Sequence, residues 1–163
     1  MILWHVALTV VAVRVVFGDP RMDVRMLAIG AVLPDLLDLP WGRPAVFHSL
    51  VGCVGLLVVI MLATIGRRAA RRTLLPLAIG AFVHLVLDGM WIEQDVLLWP
   101  FGDDPPHLSL WPSGWSLVVQ EAIGLVVLVR LWQRCGLADP DRRRLLWRSG
   151  RLEPLAPEGG VAP

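Results

Sequence analysis

The chain has 163 residues, of which 56% are hydrophobic and only 18% are charged, and its mean hydropathy is +0.64. Its formal net charge is +1, and its 15 basic residues are all arginine. This composition excludes an ordinary soluble domain, a disordered chain, a collagen and a coiled coil, and it gives no support for nucleic acid binding. The length leaves no room for a separate soluble domain beside several membrane spans, so we expect one compact integral membrane domain.

Five apolar segments follow one another along the chain, and each is a candidate membrane helix. They comprise residues 2–17, 24–39, 47–65, 74–92 and 115–132. The second segment is barely long enough to cross a bilayer and contains Pro34, so it is either a short span or a broken, re-entrant helix. The predicted fold class is therefore all-α, a polytopic membrane helical bundle over residues 1–135 with four to five transmembrane or re-entrant helices.

The placement of arginines predicts the orientation of this bundle. A cluster of them lies in the loop between the third and fourth segments, which we therefore place in the cytoplasm; they are Arg67, Arg68, Arg71 and Arg72. If every segment crosses, the N-terminus is outside and the C-terminus inside a bacterial-type cytoplasmic (inner) membrane, whereas a re-entrant second segment moves the N-terminus inside. The basic, Pro/Gly-rich residues 136–163 are expected to form a cytoplasmic tail that is disordered or lies on the membrane surface.

Ionisable side chains within the apolar segments point to a site. Each charge near the middle of a bilayer costs roughly 2.5 to 3.5 kcal/mol on insertion scales, so each such group needs a partner or a function. In the predicted orientation these groups gather in the outer third of their segments, although they come from four separate stretches of sequence. They are His5, Asp35, Asp38, His48, His84 and Asp88.

The spacing of these residues predicts a metal site. His84 and Asp88 are four residues apart and therefore share one face of a helix. Asp35 and Asp38 are three residues apart, and a turn containing two prolines and a glycine leads from them back to His48. Such a mixed set of nitrogen and oxygen ligands suits a divalent metal, with Zn²⁺ or Mn²⁺ favoured over Mg²⁺ or Fe²⁺. The predicted ligands are Asp35, Asp38, His48, His84 and Asp88, while a proton or ion pathway and a purely structural polar core stay open as alternatives.

Further side chains near this cluster are candidates for catalysis or binding. Asp38 or Glu121 is the predicted general base, and Glu121 has two alternative roles, as a hydrogen-bond partner of a ligand or as a contact between helices. Arg43 is the predicted contact for a phosphate or carboxylate of the substrate, with a salt bridge to Asp38 as the equal alternative. His5 lies near a membrane boundary and is interpreted as an interfacial residue rather than a ligand.

Five short blocks of sequence carry a resemblance to a known family. They are GAVLPDLLD at residues 30–38, GR at 42–43, HSL at 48–50, HLVLDGMW at 84–91 and LWPF at 98–101. In order and spacing, over roughly residues 1–103, they resemble the inner-membrane metal-dependent hydrolases of the YdjM-like kind. The resemblance implies a small multi-span hydrolase whose metal ligands are the same aspartates and histidines, Asp35, Asp38, His48, His84 and Asp88.

Taken with the depth of the cluster, the resemblance predicts a membrane-embedded metal-dependent hydrolase. We expect it to act on an ester or phosphoester of a lipid-like, amphiphilic or other small-molecule substrate near the outer membrane face, because a soluble substrate would not require catalytic groups among the spans. Membrane lipids are the expected partners, and a homodimer is compatible with so short a chain. The alternatives are a small transporter that handles metal or other ions, and a non-catalytic structural protein of the membrane.

Overall fold

The computed structural model describes residues 1–90, 92, 94–101 and 114–152 of the chain. Over these residues the protein is all-helical, as predicted, with no strand. Its α-helices are α1 (Ile2–Phe17), α2 (Val24–Asp38), α3 (Leu50–Ala63), α4 (Arg68–Leu87), α5 (Gln94–Leu97), α6 (Trp115–Arg134) and α7 (Pro140–Ser149). Two 3-10 turns, Leu39–Trp41 and Val46–His48, lie in the connection between α2 and α3.

Fewer helices reach the length of a membrane span than the sequence predicts. Among the described residues, α4 and α6 are long and apolar enough to cross a bilayer, with 20 residues each. Helices α1, α2 and α3 have 16, 15 and 14 residues, which is below the roughly 20 that a straight span requires. The structure therefore supports an all-α protein with two candidate spans, and four to five spans stay a prediction.

Helix α2 begins at a side-chain cap and continues through its proline. The Asp23 carboxylate accepts hydrogen bonds from the backbone N–H groups of Arg25 and Met26, at 3.0 and 3.4 Å, which satisfies two amides of the first turn. The helix then runs to Asp38, so the interruption predicted at Pro34 does not end it.

Helices α2 and α4 approach each other so closely that their backbones are in contact. A Cβ atom at Gly30 would lie 2.1 Å from the carbonyl oxygen of Leu77, and one at Gly80 would lie 2.4 Å from that of Leu27. Only glycine leaves room for this approach, because any side chain would overlap the facing backbone. The two helices therefore pack tightly over the turns that precede the polar residues at their C-terminal ends.

The other helices assemble around this pair. Helix α1 packs against α2, α4 and α6, and α3 packs against α4. The contact of α1 with α6 is also close, since a Cβ atom at Gly124 would lie 2.4 Å from the backbone nitrogen of Trp4. Because α1 and α3 begin at the end of the bundle where α2 and α4 finish, their first residues lie beside the last residues of α2 and α4.

Part of the tail predicted to be disordered is a helix. Asp139 caps α7 by accepting a hydrogen bond from the N–H of Asp141 at 2.9 Å, and Gly150 ends the helix with a φ of 69°. Leu137 and Leu152, on either side of α7, are buried in an apolar core with residues of α1 and α2. The prediction of disorder is therefore wrong for α7, because the flanking leucines supply the apolar burial that the basic helix itself lacks.

Arginines from α1 and α2 hold this C-terminal segment against the bundle. The guanidinium of Arg14 donates a hydrogen bond to the carbonyl oxygen of Leu152. The guanidinium of Arg25 donates one to the carbonyl oxygen of Trp147. The rest of the predicted tail, residues 153–163, lies outside the part of the chain that the structure describes.

The contact between α2 and α4 predicts that a glycine-to-alanine substitution lowers stability at Gly80, which lies in the contact, and raises it at Gly55, which lies outside it. Gly80→Ala forces the α2 backbone away and should lower the free energy of unfolding by about 1–3 kcal/mol. Gly55→Ala in α3 is the matched control, since a Cβ atom there meets nothing within 4 Å and should stabilise the helix by roughly 0.5–1 kcal/mol. Thermal unfolding in detergent would measure both, and equal effects would contradict the close packing.

The cap of α2 predicts a dependence of stability on pH. The Arg25 guanidinium, hydrogen-bonded to Asp23 at 2.7 and 3.0 Å, lowers the pKa of that carboxyl below its usual 3.8. A carboxyl with a lowered pKa stabilises the fold fully above its unfolded pKa and loses that contribution as the pH falls through the folded value. We expect Asp23→Asn, which keeps a capping oxygen, to cost about 1 kcal/mol or less at pH 7, since Arg25 is partly exposed.

Thermal unfolding of Asp23→Asn and of the parent protein, measured from pH 7 down to pH 3, would test this linkage. The difference between the two proteins should be constant at neutral pH and shrink below about pH 4. Asp141→Asn, at a side chain that is 83% exposed, should show no such change. A difference that persists unchanged in acid would contradict an ionised Asp23.

Candidate metal site

Four side chains meet at one end of the bundle and form a compact group of possible metal ligands. Asp35 comes from the last turn of α2, His48 from the 3-10 turn before α3, His84 from the last turn of α4 and Asp88 from the residue that ends α4. Each offers one nitrogen or oxygen atom, and these four atoms all lie within 4.8 Å of one another. The structure thus brings together four of the five ligands predicted from the sequence.

The distances within this group fit a tetrahedral ion. The two Nε2 atoms of His48 and His84 are 3.3 Å apart. The Oδ1 atom of Asp35 lies 3.4 and 3.6 Å from these nitrogens, and the Oδ2 atom of Asp88 lies 3.7 and 3.1 Å from them. Ligands about 2.0–2.1 Å from a tetrahedral Zn²⁺ are separated by about 3.3–3.4 Å. These five distances are therefore close to the edges of such a coordination sphere, and the whole set of four atoms spans at most 4.8 Å.

Hydrogen bonds on the far side of each imidazole decide which nitrogen faces the group. The Nδ1 atom of His84 lies 2.7 Å from the carbonyl oxygen of Ala31, which can only accept, so Nδ1 carries the hydrogen. The Nδ1 atom of His48 donates in the same way to the Asp38 carboxylate at 2.8 Å. In the neutral rings both Nε2 lone pairs then face each other at 3.3 Å, an arrangement that is repulsive unless a cation or proton lies between them.

The charge of the group also favours a cation. His84 and His48 are 0% and 1% exposed, and Asp35 is 6% exposed, so water gives these groups little screening. Two carboxylates next to two neutral imidazoles carry two negative charges, which a divalent ion would neutralise. Mixed imidazole and carboxylate ligands are typical of Zn²⁺ and related transition metals.

Asp38 has a different place from the one predicted. It is not in the four-residue group, although it was predicted both as a ligand and as a general base. Its buried carboxylate accepts hydrogen bonds from the backbone N–H groups of Ala45, Phe47 and His48, at 2.9 to 3.2 Å, in addition to the His48 ring. Asp38 therefore folds the loop before α3 and orients His48, and its oxygens are occupied by these donors.

The start of α3 fixes the other side of His48. Ser49 caps α3, because its hydroxyl oxygen accepts a hydrogen bond from the N–H of Gly52 at 3.0 Å and its hydroxyl donates one to the carbonyl oxygen of Val46 at 2.7 Å. A Cβ atom at Gly52 would lie 2.0 Å from the carbonyl oxygen of Val46. The glycine thus lets the 3-10 turn that carries His48 pack directly on α3.

His5 contacts the group closely without being one of its four possible ligands. It was interpreted as interfacial, yet it is 1% exposed and its ring stacks on His84 with centroids 3.9 Å apart. Its Nε2 atom lies 2.7 Å from Oδ1 of Asp88, and its Nδ1 atom lies 2.8 Å from the carbonyl oxygen of Met1. His5 therefore holds the Asp88 oxygen that faces away from His48 and His84. Its depth, equal to that of the other polar residues, was the signal available in the sequence.

Glu121 of α6 lies next to the group without being part of it. Its Oε2 atom accepts a hydrogen bond from the N–H of Leu3 at 3.1 Å, so it caps the first turn of α1 from a neighbouring helix. Its Oε1 atom is 3.9 Å from the backbone nitrogen of Met1, which is itself 3.8 Å from Oδ2 of Asp35. This arrangement supports the predicted contact between helices, and a role as general base is untested.

Arg43 lies between the two 3-10 turns, in the loop that Asp38 holds. Gly42 before it has a φ of 63°, a left-handed conformation that favours glycine. The predicted contact of Arg43 with a substrate anion stays a prediction. Four further polar residues between α4 and α6 lie outside the described residues; they are Glu93, Asp103, Asp104 and His107.

The position of Asp38 predicts a weaker but surviving metal site in Asp38→Asn. Asparagine keeps one acceptor oxygen but loses the charge that orients His48, so affinity for Zn²⁺ should fall by roughly 10- to 100-fold, as for other residues that orient a ligand. His84→Ala removes a ligand and should lower the affinity further. Competition with a chromophoric chelator would measure both, and unchanged affinity in Asp38→Asn would contradict the orienting role.

Comparison with known proteins gives one match. No curated protein and no solved structure is significantly similar to the chain. The family model described as YdjM inner membrane protein matches residues 1–148, which extends the resemblance from the first five helices through α6 and most of α7. The family match supports a location in the inner membrane, in agreement with the two candidate spans. The chain belongs to the YdjM inner membrane protein family.

Proposed function

We propose that the protein is a membrane-embedded, metal-dependent hydrolase. The observation that carries the proposal is the pair of Nε2 atoms of His48 and His84, which are 3.3 Å apart with a carboxylate oxygen from Asp35 and one from Asp88 beside them. The residues that would hold the ion are these four, and Zn²⁺ or Mn²⁺ fits their donor atoms. When bound, such an ion supplies polarisation of an ester or phosphoester and activation of water.

The surrounding residues would keep the site in one geometry. Asp38 and the carbonyl of Ala31 hold the two imidazoles through Nδ1, so that each presents Nε2. His5 binds one oxygen of Asp88 and leaves the other directed at His84. Hydrogen-bonded partners of this kind orient the ligands in many metal sites and raise metal affinity.

Glu121, beside the first turn of α1, and Arg43, in the loop before His48, are proposed to act on the substrate. With Asp38 occupied by the loop, Glu121 is the carboxylate that we propose as proton acceptor, since its side chain is 29% exposed and lies beside the first turn of α1. Arg43 is proposed to bind the phosphate or carboxylate of the substrate, because its guanidinium suits either anion.

The position of the group within the bundle favours a substrate that lies in the membrane. The group lies where α2 and α4 end, whereas the arginines of the sequence gather at the opposite ends of these helices. By the positive-inside rule the arginine-rich end is cytoplasmic and the group faces outward. A lipid-like or amphiphilic ester in the outer leaflet is therefore the proposed substrate.

The layer beneath the group argues against an ion pathway. Within the described part of the chain, the buried side chains one to two turns below the group are mainly apolar, and the hydroxyl of Thr9 is the polar group among them; the apolar ones are Val10, Leu27, Ala31, Cys53, Ala78 and Ala81. A transport path would need polar groups that continue toward the other face. This contrast favours a closed site over the alternative of a small ion transporter.

Metal content tests the proposal first. Purified in detergent without chelator, the protein should carry near-stoichiometric Zn or Mn by elemental analysis. Asp88→Asn and His84→Ala should lose most of it, and Asp141→Asn, an exposed carboxylate on α7, should retain it. Folding of each variant would be checked by thermal unfolding. Absence of metal in the parent protein, with failure to reload it, would leave the group as a structural core or a proton path.

Turnover separates a hydrolase from a metal-binding structural protein. The loaded protein in nanodiscs should hydrolyse at least one ester from a panel of phospholipids, lysolipids and isoprenoid phosphates. That activity should disappear in Asp88→Asn and after removal of the metal, and it should return on reloading the parent protein. A protein that binds metal but is inactive across the panel, with unchanged lipids by mass spectrometry, would contradict the enzymatic function.

A further inference from the structure

A large apolar groove lies between α1 and α3, with α4 as its floor. Its volume is about 510 Å³, within the range of roughly 300–1,000 Å³ that is typical of ligand sites. Ala12 of α1 and Ala78 of α4 line it, and their small side chains leave the space between the helices unfilled. Its lining contains almost no polar surface, so water would find too few hydrogen-bond partners to occupy it.

Two walls of the groove start close in sequence to the metal ligands. Leu50 of α3 is two residues from His48, and Val83 of α4 directly precedes His84, although none of the four ligands lines the groove itself. From Leu50 the groove follows α3 to Leu57, a distance of ~10 Å at 1.5 Å per residue. Its α1 wall lies at the other end of that helix from His5, so the groove runs obliquely from the region of the polar group toward the opposite end of the bundle.

The groove is open along its side. Val16 of α1 is 74% exposed and Phe82 of α4 is 48% exposed, and both line it. In a protein of the inner membrane, the apolar side chains of these helices face the hydrocarbon of the bilayer. A lipid chain can therefore enter sideways from the membrane.

We propose that this groove binds the acyl chain of the substrate, with its ester or phosphoester at the metal group. The inference rests on the proposed hydrolase function and specifies its substrate as a lipid with a hydrocarbon chain. A lipid of the outer leaflet has its headgroup at the boundary and its chain directed inward, which is the direction in which the groove leaves the group.

Photocrosslinking tests the proposal with the full-length protein in nanodiscs. The probe is a phospholipid with a diazirine in the middle of one acyl chain, and mass spectrometry maps the crosslinked residues. Crosslinks should concentrate on groove residues, including Cys53 and Phe82, over the lipid-facing residues of α6. Ala12→Phe, which fills the groove, should lose these crosslinks, whereas Ala28→Phe, the same change on an apolar surface of α2, should keep them.

Metal content and turnover on the same samples separate the two proposals. If the groove positions the substrate, Ala12→Phe should retain metal and lose most turnover of long-chain esters, with less effect on a short-chain ester. Crosslinks spread evenly over the helices, or a dimer in which a second copy covers the groove and excludes the probe, would overturn the assignment. A parent protein without metal or turnover would overturn the hydrolase function, and groove crosslinks would then indicate a lipid site that is not a substrate site.

Discussion

The contact of α2 with α4 is the constraint on which the site depends. Gly30 and Gly80 allow the two backbones to touch, and the C-terminal turns of both helices are thereby held side by side. Asp35 ends up 3.6 Å from His84 through this contact, and the carbonyl of Ala31 is within reach of the same imidazole. A wider separation of the helices would move Asp35 away from His84 and would also break the hydrogen bond that orients His84, because both contacts cross the interface between α2 and α4. The polar group is thus a product of helix packing as much as of its own residues.

Much of the site follows from the sequence because depth and spacing are strong physical constraints. Because charge is costly in hydrocarbon, the ionisable side chains within the apolar segments indicate a site. The four-residue spacing of His84 and Asp88 places both on one face of a helix. Spacing could not show that Asp35 joins the group of possible ligands while Asp38 does not, since both lie on the last turn of α2. Only the fold of the following loop decides which carboxylate accepts hydrogen bonds from backbone N–H groups. For His5, a boundary position suggested an interfacial role, and its contact with Asp88 depends on tertiary packing that no local pattern encodes.

The fold was predictable in class and less so in detail. Long apolar stretches specify helices, and the caps at Asp23, Ser49 and Asp139 follow from side-chain chemistry that a sequence displays. Composition suggested disorder for the tail because α7 itself is strongly basic, but Leu137 and Leu152 beyond its ends are buried in the core. The number of spans depends on how much the bilayer thins around the short helices, and helix length alone does not determine that.

The first helix is held at both ends by the last third of the chain. Glu121 and Gly124 of α6 contact its first turn, while Leu152, beyond α7, accepts a hydrogen bond from Arg14 near its last turn. His5 lies on that helix and is among the earliest residues to leave the ribosome, whereas its supports are among the latest. The contacts that hold α1 at its two ends can therefore form only after α6 and the residues beyond α7 have been synthesised, so the position of His5 against Asp88 gains this support late in synthesis.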